Sequence, residues 1–138
     1  MGETRLESLG DDRWTLTLER DLGRPVERVW RALTEPAELS RWYPMAVDQL
    51  DLRVGGEIAF DDGEGQETTA VVTEVDPPRV FGFREFDAET GEHQLRLTLE
   101  EDGRLVLAHT FTGRDWAERT AEGWRSCLDE LERSLDEV

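Results

Sequence analysis

There is no lysine in this chain. All 16 basic residues among its 138 are arginines, and 33 aspartates and glutamates outnumber them to a formal net charge of −17. Such a surface repels phosphate backbones and anionic lipid headgroups, which argues against nucleic-acid binding and membrane insertion. Excess acid without lysine is the composition of a GC-rich genome or of a salt-adapted protein, and composition does not separate the two. Cysteine is scarce as well: Cys127 stands alone, so no internal disulfide forms and a stapled secreted scaffold is excluded. No segment approaches the roughly 18 apolar residues of a membrane span. The opening stretch, with Glu3, Arg5, Glu7, Asp11 and Asp12, has no apolar signal region. The expectation is a soluble, cytoplasmic chain. Its length fits one domain over residues 1–138, with a core from about 13 to 137.

The common signatures of chemistry are missing too. His93, His109 and Cys127 do not have the spacing of zinc ligands, and no serine sits in a nucleophile-elbow pattern. The stretch "DDGEGQE" (61–67) follows neither a phosphate-loop nor an EF-hand template and reads as a solvated hairpin turn. No metal or organic cofactor is implied.

What is present is periodicity. "RWTLTLERDL" (13–22) alternates Trp14, Leu16 and Leu18 with polar neighbours, as a half-buried strand does. Pro25 then suits a first helical position, and Val26, Val29, Trp30 and Leu33 follow at helical spacing. Pro36 ends that helix and opens another, with Leu39 and Trp42 on its apolar side before Pro44. Arg24 and Glu35 are poor caps, so packing must hold both helices. From residue 46 to about 112, "VGGE", "DDGEG", "DPP", "ETGE" and "EDG" punctuate short strand-like runs, the pattern of a six-strand antiparallel meander. Residues 114–137 return to helical period, gathering Trp116, Trp124, Cys127, Leu128, Leu131 and Leu135 on one side. A curved sheet buries one face only by wrapping something, and this helix is the obvious object.

The runs "RPVERVWRALTEPAELSRWYP", "DLRVGGEIAF", "VTEVDPPRVFGF", "LVLAHTFT" and "AEGWRSCLDELERSL" resemble, in consistent order from about Thr15 to Leu135, a known family. It is the C-terminal-domain-like group of heat-shock-protein-90 ATPase activators, within the SRPBCC (START and birch-pollen-allergen-like) superfamily. The resemblance implies an α+β helix-grip fold. In it a curved antiparallel seven-stranded sheet, with two short helices after the first strand, encloses a mostly apolar cavity against the C-terminal helix. Ligand binding is implied more readily than any one reaction. The eukaryotic chaperone activators have an additional N-terminal domain that this sequence lacks, so chaperone activation is not expected to carry over. Glu85 stands where relatives often carry a tryptophan.

Strand parity puts His109 with Leu105, Leu107 and Phe111 on the apolar face, either as a buried, bonded histidine or as a polar group facing the cavity. Glu85 has the parity of Phe81 and Phe83, so it is a solvated strand end or a carboxylate at a cavity mouth. Cys127 reads as an inert core thiol. Gly123 either permits close approach of the sheet or spares volume for a ligand. The expected cavity is lined by Trp30, Trp42, Tyr43, Phe60, Phe81, Phe83, Glu85, Leu97, His109, Phe111, Trp124 and Leu128, with Trp42 at its entrance. The first functional reading is non-enzymatic binding of a lipid-like, aromatic or polyketide-type molecule. The second is a cyclase, aromatase or hydratase using Glu85 and His109 as acid and base. A chaperone-type interaction module is third, and it needs an outer apolar patch that the alternating charges of "TLTLER" and "LRLTLEED" do not suggest.

Overall fold

A computed structural model describes residues 4–61, 63, 64, 67–87 and 90–136. In chain order it has β1 (Thr4–Gly10), β2 (Arg13–Asp21), α1 (Val26–Thr34), α2 (Pro36–Leu39), β3 (Ala46–Leu50), β4 (Glu57–Asp61), β5 (Glu67–Asp76), β6 (Val80–Asp87), β7 (Gly91–Leu99), β8 (Arg104–Thr112) and α3 (Ala117–Asp136). The strands form one antiparallel sheet of order β1-β2-β8-β7-β6-β5-β4-β3. The meander from β3 to β8 is as expected, with β2 added beside β8. Parts of the 61–67 and 89–92 turns lie outside the described residues.

The sheet has eight strands and not seven. The additional strand, β1, pairs with β2 through a tight turn in which Asp11 and Asp12 both take positive φ (55° and 58°). Both central residues at positive φ make a turn whose twist suits a hairpin, and aspartate tolerates that region better than most residues. The strand leaves little trace in the sequence because it is a polar edge, exposed along nearly its whole length.

Side-chain alternation decides which face closes. Leu16 and Leu18 of β2, Phe81 and Phe83 of β6, Leu95 and Leu97 of β7, and Leu105, Leu107 and Phe111 of β8 are all buried on one face. At about 1.5 Å per residue the twenty residues of α3 span roughly 30 Å, close to the length of a nine-residue strand. The helix covers that face with Ala121, Trp124, Leu128, Leu131 and Leu135. Its far end is pinned to β2, where Arg20 bonds Asp129 at 2.6 Å and Glu132 at 3.1 Å. Trp116 departs from the expected stripe. It belongs to a 3₁₀ turn (Arg114–Trp116) ahead of α3, is 42% exposed, and carries Arg119 over its ring.

The two short helices carry the chain from β2 across to the opposite edge of the sheet. Neither has a side-chain cap, as expected, although the cap of α1 is Pro25 itself and the helix begins at Val26. Cross-links replace the caps. Arg28 pairs with Glu38 and also donates to the Ser134 carbonyl of α3, while the Trp42 indole donates to the Ala32 carbonyl at 2.8 Å.

Leu131→Ala is expected to cost about 2–5 kcal/mol, because that side chain is wholly buried between helix and sheet. A Cβ at Gly123 would meet nothing within 4 Å, so Gly123→Ala is expected to gain up to about 1 kcal/mol. Urea unfolding of the two variants measures both effects. A Leu131→Ala protein as stable as the parent contradicts the way α3 packs.

Candidate functional site

The space between sheet and α3 is lined with rings that touch. Tyr43 stacks on Phe60 at a centroid distance of 5.1 Å and approaches Trp42, Phe83 and Trp124 at 6.0, 6.2 and 5.8 Å. Phe81 and Phe83 are 5.4 Å apart. Leu97, Phe111 and Leu128 are buried in the same cluster, and Trp30 packs against its edge. Most residues expected to line a cavity therefore pack against one another.

The entrance position expected for Trp42 is corrected. That residue is 2% exposed, and its only polar atom is spent on Ala32. Weak capping does not leave this segment free to shift, because Trp42 locks the chain after α2 beneath α1. Ser40 tightens the same segment, donating to the Pro36 carbonyl and accepting from the Val47 amide.

A polar chain runs through one end of the core. The Trp124 indole N–H donates to His109 Nδ1 at 3.0 Å, which leaves the proton of a neutral His109 on Nε2. That proton points at His93 Nδ1, 2.8 Å away. His93 in turn carries its proton on Nε2 and donates to Thr90 Oγ1 at 2.6 Å. Every donor in the series therefore faces the same way, from the helix towards the β6–β7 turn. His109 is a buried, bonded histidine, but its partners are side chains and neither a backbone carbonyl nor water. His93 was not among the expected site residues. Parity was available in the sequence, since His93 shares it with Leu95 and Leu97; the strand register adds that Leu95 pairs with His109 across the hairpin, making the two histidines diagonal neighbours.

Glu85 lies directly opposite His93 on the neighbouring strand and is partly buried. Among the described residues it has no hydrogen bond or ion pair. Burial raises its carboxyl above the usual range, and the charge of Asp87 adds to the rise. The Tyr43 phenol is similar: 8% of the residue is exposed, and its oxygen has no hydrogen-bond partner among the described residues. Among the described residues no fully buried side-chain nitrogen or oxygen lacks a partner, so that oxygen must reach accessible space. Burial drives the phenol well above its ordinary value, followed by the charges of Glu85 and then Cys127. Tyr43 lies 6.2 Å from Phe83, and Glu85 follows Phe83 by two residues on the same strand, which fits the influence of Glu85 on the phenol. The thiol of Cys127 is itself raised, by burial and then by Glu130, which suits an inert thiol better than a nucleophile. Gly123 does not serve close packing of helix on sheet, since the space around it is open. Phe86 is 76% exposed and borders a depression of about 200 Å³ that Val71, Arg84, Glu85 and Glu92 also line, a small partly apolar spot the alternating charges did not suggest. Among the described residues no group of three or more His, Cys, Asp or Glu side chains could hold a metal.

Residues 24–136 match the family described as activator of Hsp90 ATPase homolog 1-like protein. The chain belongs to that family. It lies within the SRPBCC superfamily, as the ordered motifs implied. No curated protein sequence matches. Among solved structures, CalU16 from Micromonospora echinospora superposes with a TM-score of 0.82 at 24% identity, covering 99% of this chain and 87% of that one. CV1439 from Chromobacterium violaceum gives 0.73 at 26% identity, covering 90% and 98%. NE0264 from Nitrosomonas europaea gives 0.67 at 25%, covering 88% and 94%. These likenesses establish the helix-grip fold. No helix among the described residues is long and apolar enough to cross a membrane.

The histidine chain makes acid costly. Burial first, then the charges of His93 and Arg13, hold His109 down from an ordinary 6.5 to about 3. Burial lowers His93 in the same direction, partly offset by the charge of Asp87 and aided to a smaller extent by Arg13. Between 6.5 and about 3 the unfolded chain takes up the His109 proton and the folded chain does not, so stability falls as the pH drops through that window. Glu85 acts with the opposite sign just above 4.5, because its raised carboxyl binds a proton more readily when folded. Glutamine at 109 can still accept from Trp124 and donate to His93. His109→Gln is therefore expected to flatten the loss of stability between about pH 6.5 and 4, by roughly 1.4 kcal/mol for each pH unit of the window. Chemical unfolding of parent and variant across that range tests this, and parallel curves would contradict it.

Proposed function

We propose that the protein binds, without catalysing a reaction, a small molecule with a hydrophobic body, at the mouth framed by Tyr43, Glu85 and α3. One observation carries the reading. The Tyr43 phenol is more than nine-tenths buried yet unpartnered among the described residues, beside a carboxylate that also has no partner. The Tyr43 oxygen reaches accessible space, so a ligand can supply the missing bond there, beside a dry ring cluster in which a hydrogen bond is stronger than in water. The apolar body meets Tyr43 and Trp124, whose rings form the wall nearest the mouth. Members of the family often bind small hydrophobic ligands, which agrees with this reading. A tightly packed ring cluster favours a small ligand seated beside Tyr43 over a long acyl chain that needs a tunnel.

The acid–base alternative asks Glu85 and His109 to meet one substrate. Against it, both His109 nitrogens are engaged, by Trp124 and by His93, and the imidazole resists protonation down to about 3. A general acid or base working near neutrality needs a pKa much closer to 7. The chaperone-type alternative has only the small spot around Phe86 and Val71 in its favour.

Trp124 reports on binding because its ring adjoins Tyr43. Titration with naphthalene-, flavonoid- and fatty-acid-type compounds is expected to give a saturable change in tryptophan fluorescence for at least one small aromatic compound. Tyr43→Phe keeps the ring stacked on Phe60 and is expected to weaken that binding several-fold while leaving the unfolding midpoint nearly unchanged. If no compound saturates while the protein is demonstrably folded, the binding reading fails.

A further inference from the structure

The mouth also has a sign, and the sign selects the ligand. Glu85 as a carboxylate only accepts hydrogen bonds, and the Tyr43 oxygen can accept one while donating another. No arginine is bonded to either residue among the described residues. Arg13, the guanidinium whose charge bears on the two histidines, is occupied by the Glu92 carbonyl and by Thr112, both at 3.1 Å, and faces the Glu92 carboxylate at 3.5 Å. The histidines themselves are neutral, because their hydrogen-bond chain assigns each a single proton. Asp87 stands two residues beyond Glu85 and adds a second negative charge to the approach, on a protein of net charge −17. The wall is aromatic, with Tyr43 and Trp124 5.8 Å apart and tilted at 58°.

Resting on the binding reading above, we propose that the ligand is a hydrophobic amine, bound as its ammonium ion with the charged head between the Glu85 carboxylate and the Tyr43 oxygen, and that hydrophobic carboxylic acids are rejected. An ammonium group brings three donors to two acceptors that lack them, so the bonds formed are charge-assisted. The faces of Tyr43 and Trp124 attract the same cation. It also neutralises a carboxylate held partly out of water, which no residue of the described chain does. A carboxylic acid would bring a second acceptor-only anion beside Glu85 and Asp87, and the only favourable partner it could turn to in the depression that Glu85 lines, among the described residues, is Arg84. A neutral alcohol can donate one bond and falls between the two.

Three compounds on one skeleton separate these cases: 2-(2-naphthyl)ethylamine, 2-(2-naphthyl)ethanol and 3-(2-naphthyl)propanoic acid, each titrated calorimetrically at pH 7. The amine is expected to bind about tenfold more tightly than the alcohol, a difference that one charge-assisted bond supplies, and the acid more weakly than either. Glu85→Gln removes one charge from an already very acidic chain. It is expected to bring amine and alcohol within about twofold of each other while alcohol binding persists, whereas a general pull of the acidic surface would leave the amine preference almost intact. Tyr43→Phe, which keeps the packing, is expected to weaken the amine severalfold and gives a second reading should Glu85→Gln fold poorly. Molar sodium chloride screens the distant charges and is expected to leave most of the preference in place. An acid or alcohol that binds tightest, or an amine preference that survives Glu85→Gln, overturns this inference and leaves the binding reading standing. Failure of all three compounds to saturate overturns both.

Discussion

The indole N–H of Trp124 must find an acceptor where α3 meets the sheet, and His109 provides it. Much else at that end of the molecule follows from this one bond. An imidazole that accepts at Nδ1 carries its proton at Nε2, which fixes the direction of the next bond, to His93, and of the one after it, to Thr90. The bond joins the long helix to β8 at a polar contact inside an otherwise apolar core, so it also helps set the register of helix on sheet. A protonated His109 would present hydrogen at both nitrogens and lose the Trp124 bond, and burial already resists that charge. The histidines are thereby kept neutral. This leaves Glu85, directly across from His93, without a cationic partner.

The grip is largely filled, and this shapes what it can do. Rings from the segment after α2 and from β4, β6 and α3 meet at 5.1 to 6.2 Å, so the sheet and helix close on each other with little room between. The polar opportunity is confined to the end where the Tyr43 oxygen and the Glu85 carboxylate emerge. Structures only about a quarter identical share this architecture across nearly the whole chain, yet a shared architecture does not transmit a site. The residues that would select a ligand here are a carboxylate and a phenol set against aromatic rings, and they must be judged by their own chemistry.

Much of the fold was legible because period-2 and period-3.6 patterns are imposed by burial itself. Phe81 and Phe83 on one strand, Leu105, Leu107, His109 and Phe111 on another, and Leu128, Leu131 and Leu135 on the long helix all lie on the face their spacing assigns. β1 was not legible, since a solvated edge strand needs no apolar alternation and its turn used two aspartates where glycine or asparagine would have signalled it. Trp116 was misplaced because helical spacing was carried back through a 3₁₀ turn, whose tighter winding rotates it away from the core. Trp42 was misplaced for a different reason. Missing caps describe local cost, and they are silent about a tertiary bond such as that from its indole to Ala32. The pairing of His93 with His109 lay in the strand register, which parity alone does not fix.

The arrangement stands or falls on the state of two imidazoles. Long-range proton–nitrogen correlation spectra of uniformly ¹⁵N-labelled protein report directly which nitrogen of each histidine carries the proton. The account expects both His93 and His109 as neutral Nε2–H tautomers at pH 7, with His109 unchanged at pH 5 and the Trp124 indole proton slow to exchange. A His109 that titrates with an ordinary midpoint near 6.5, or carries its proton on Nδ1, would contradict it.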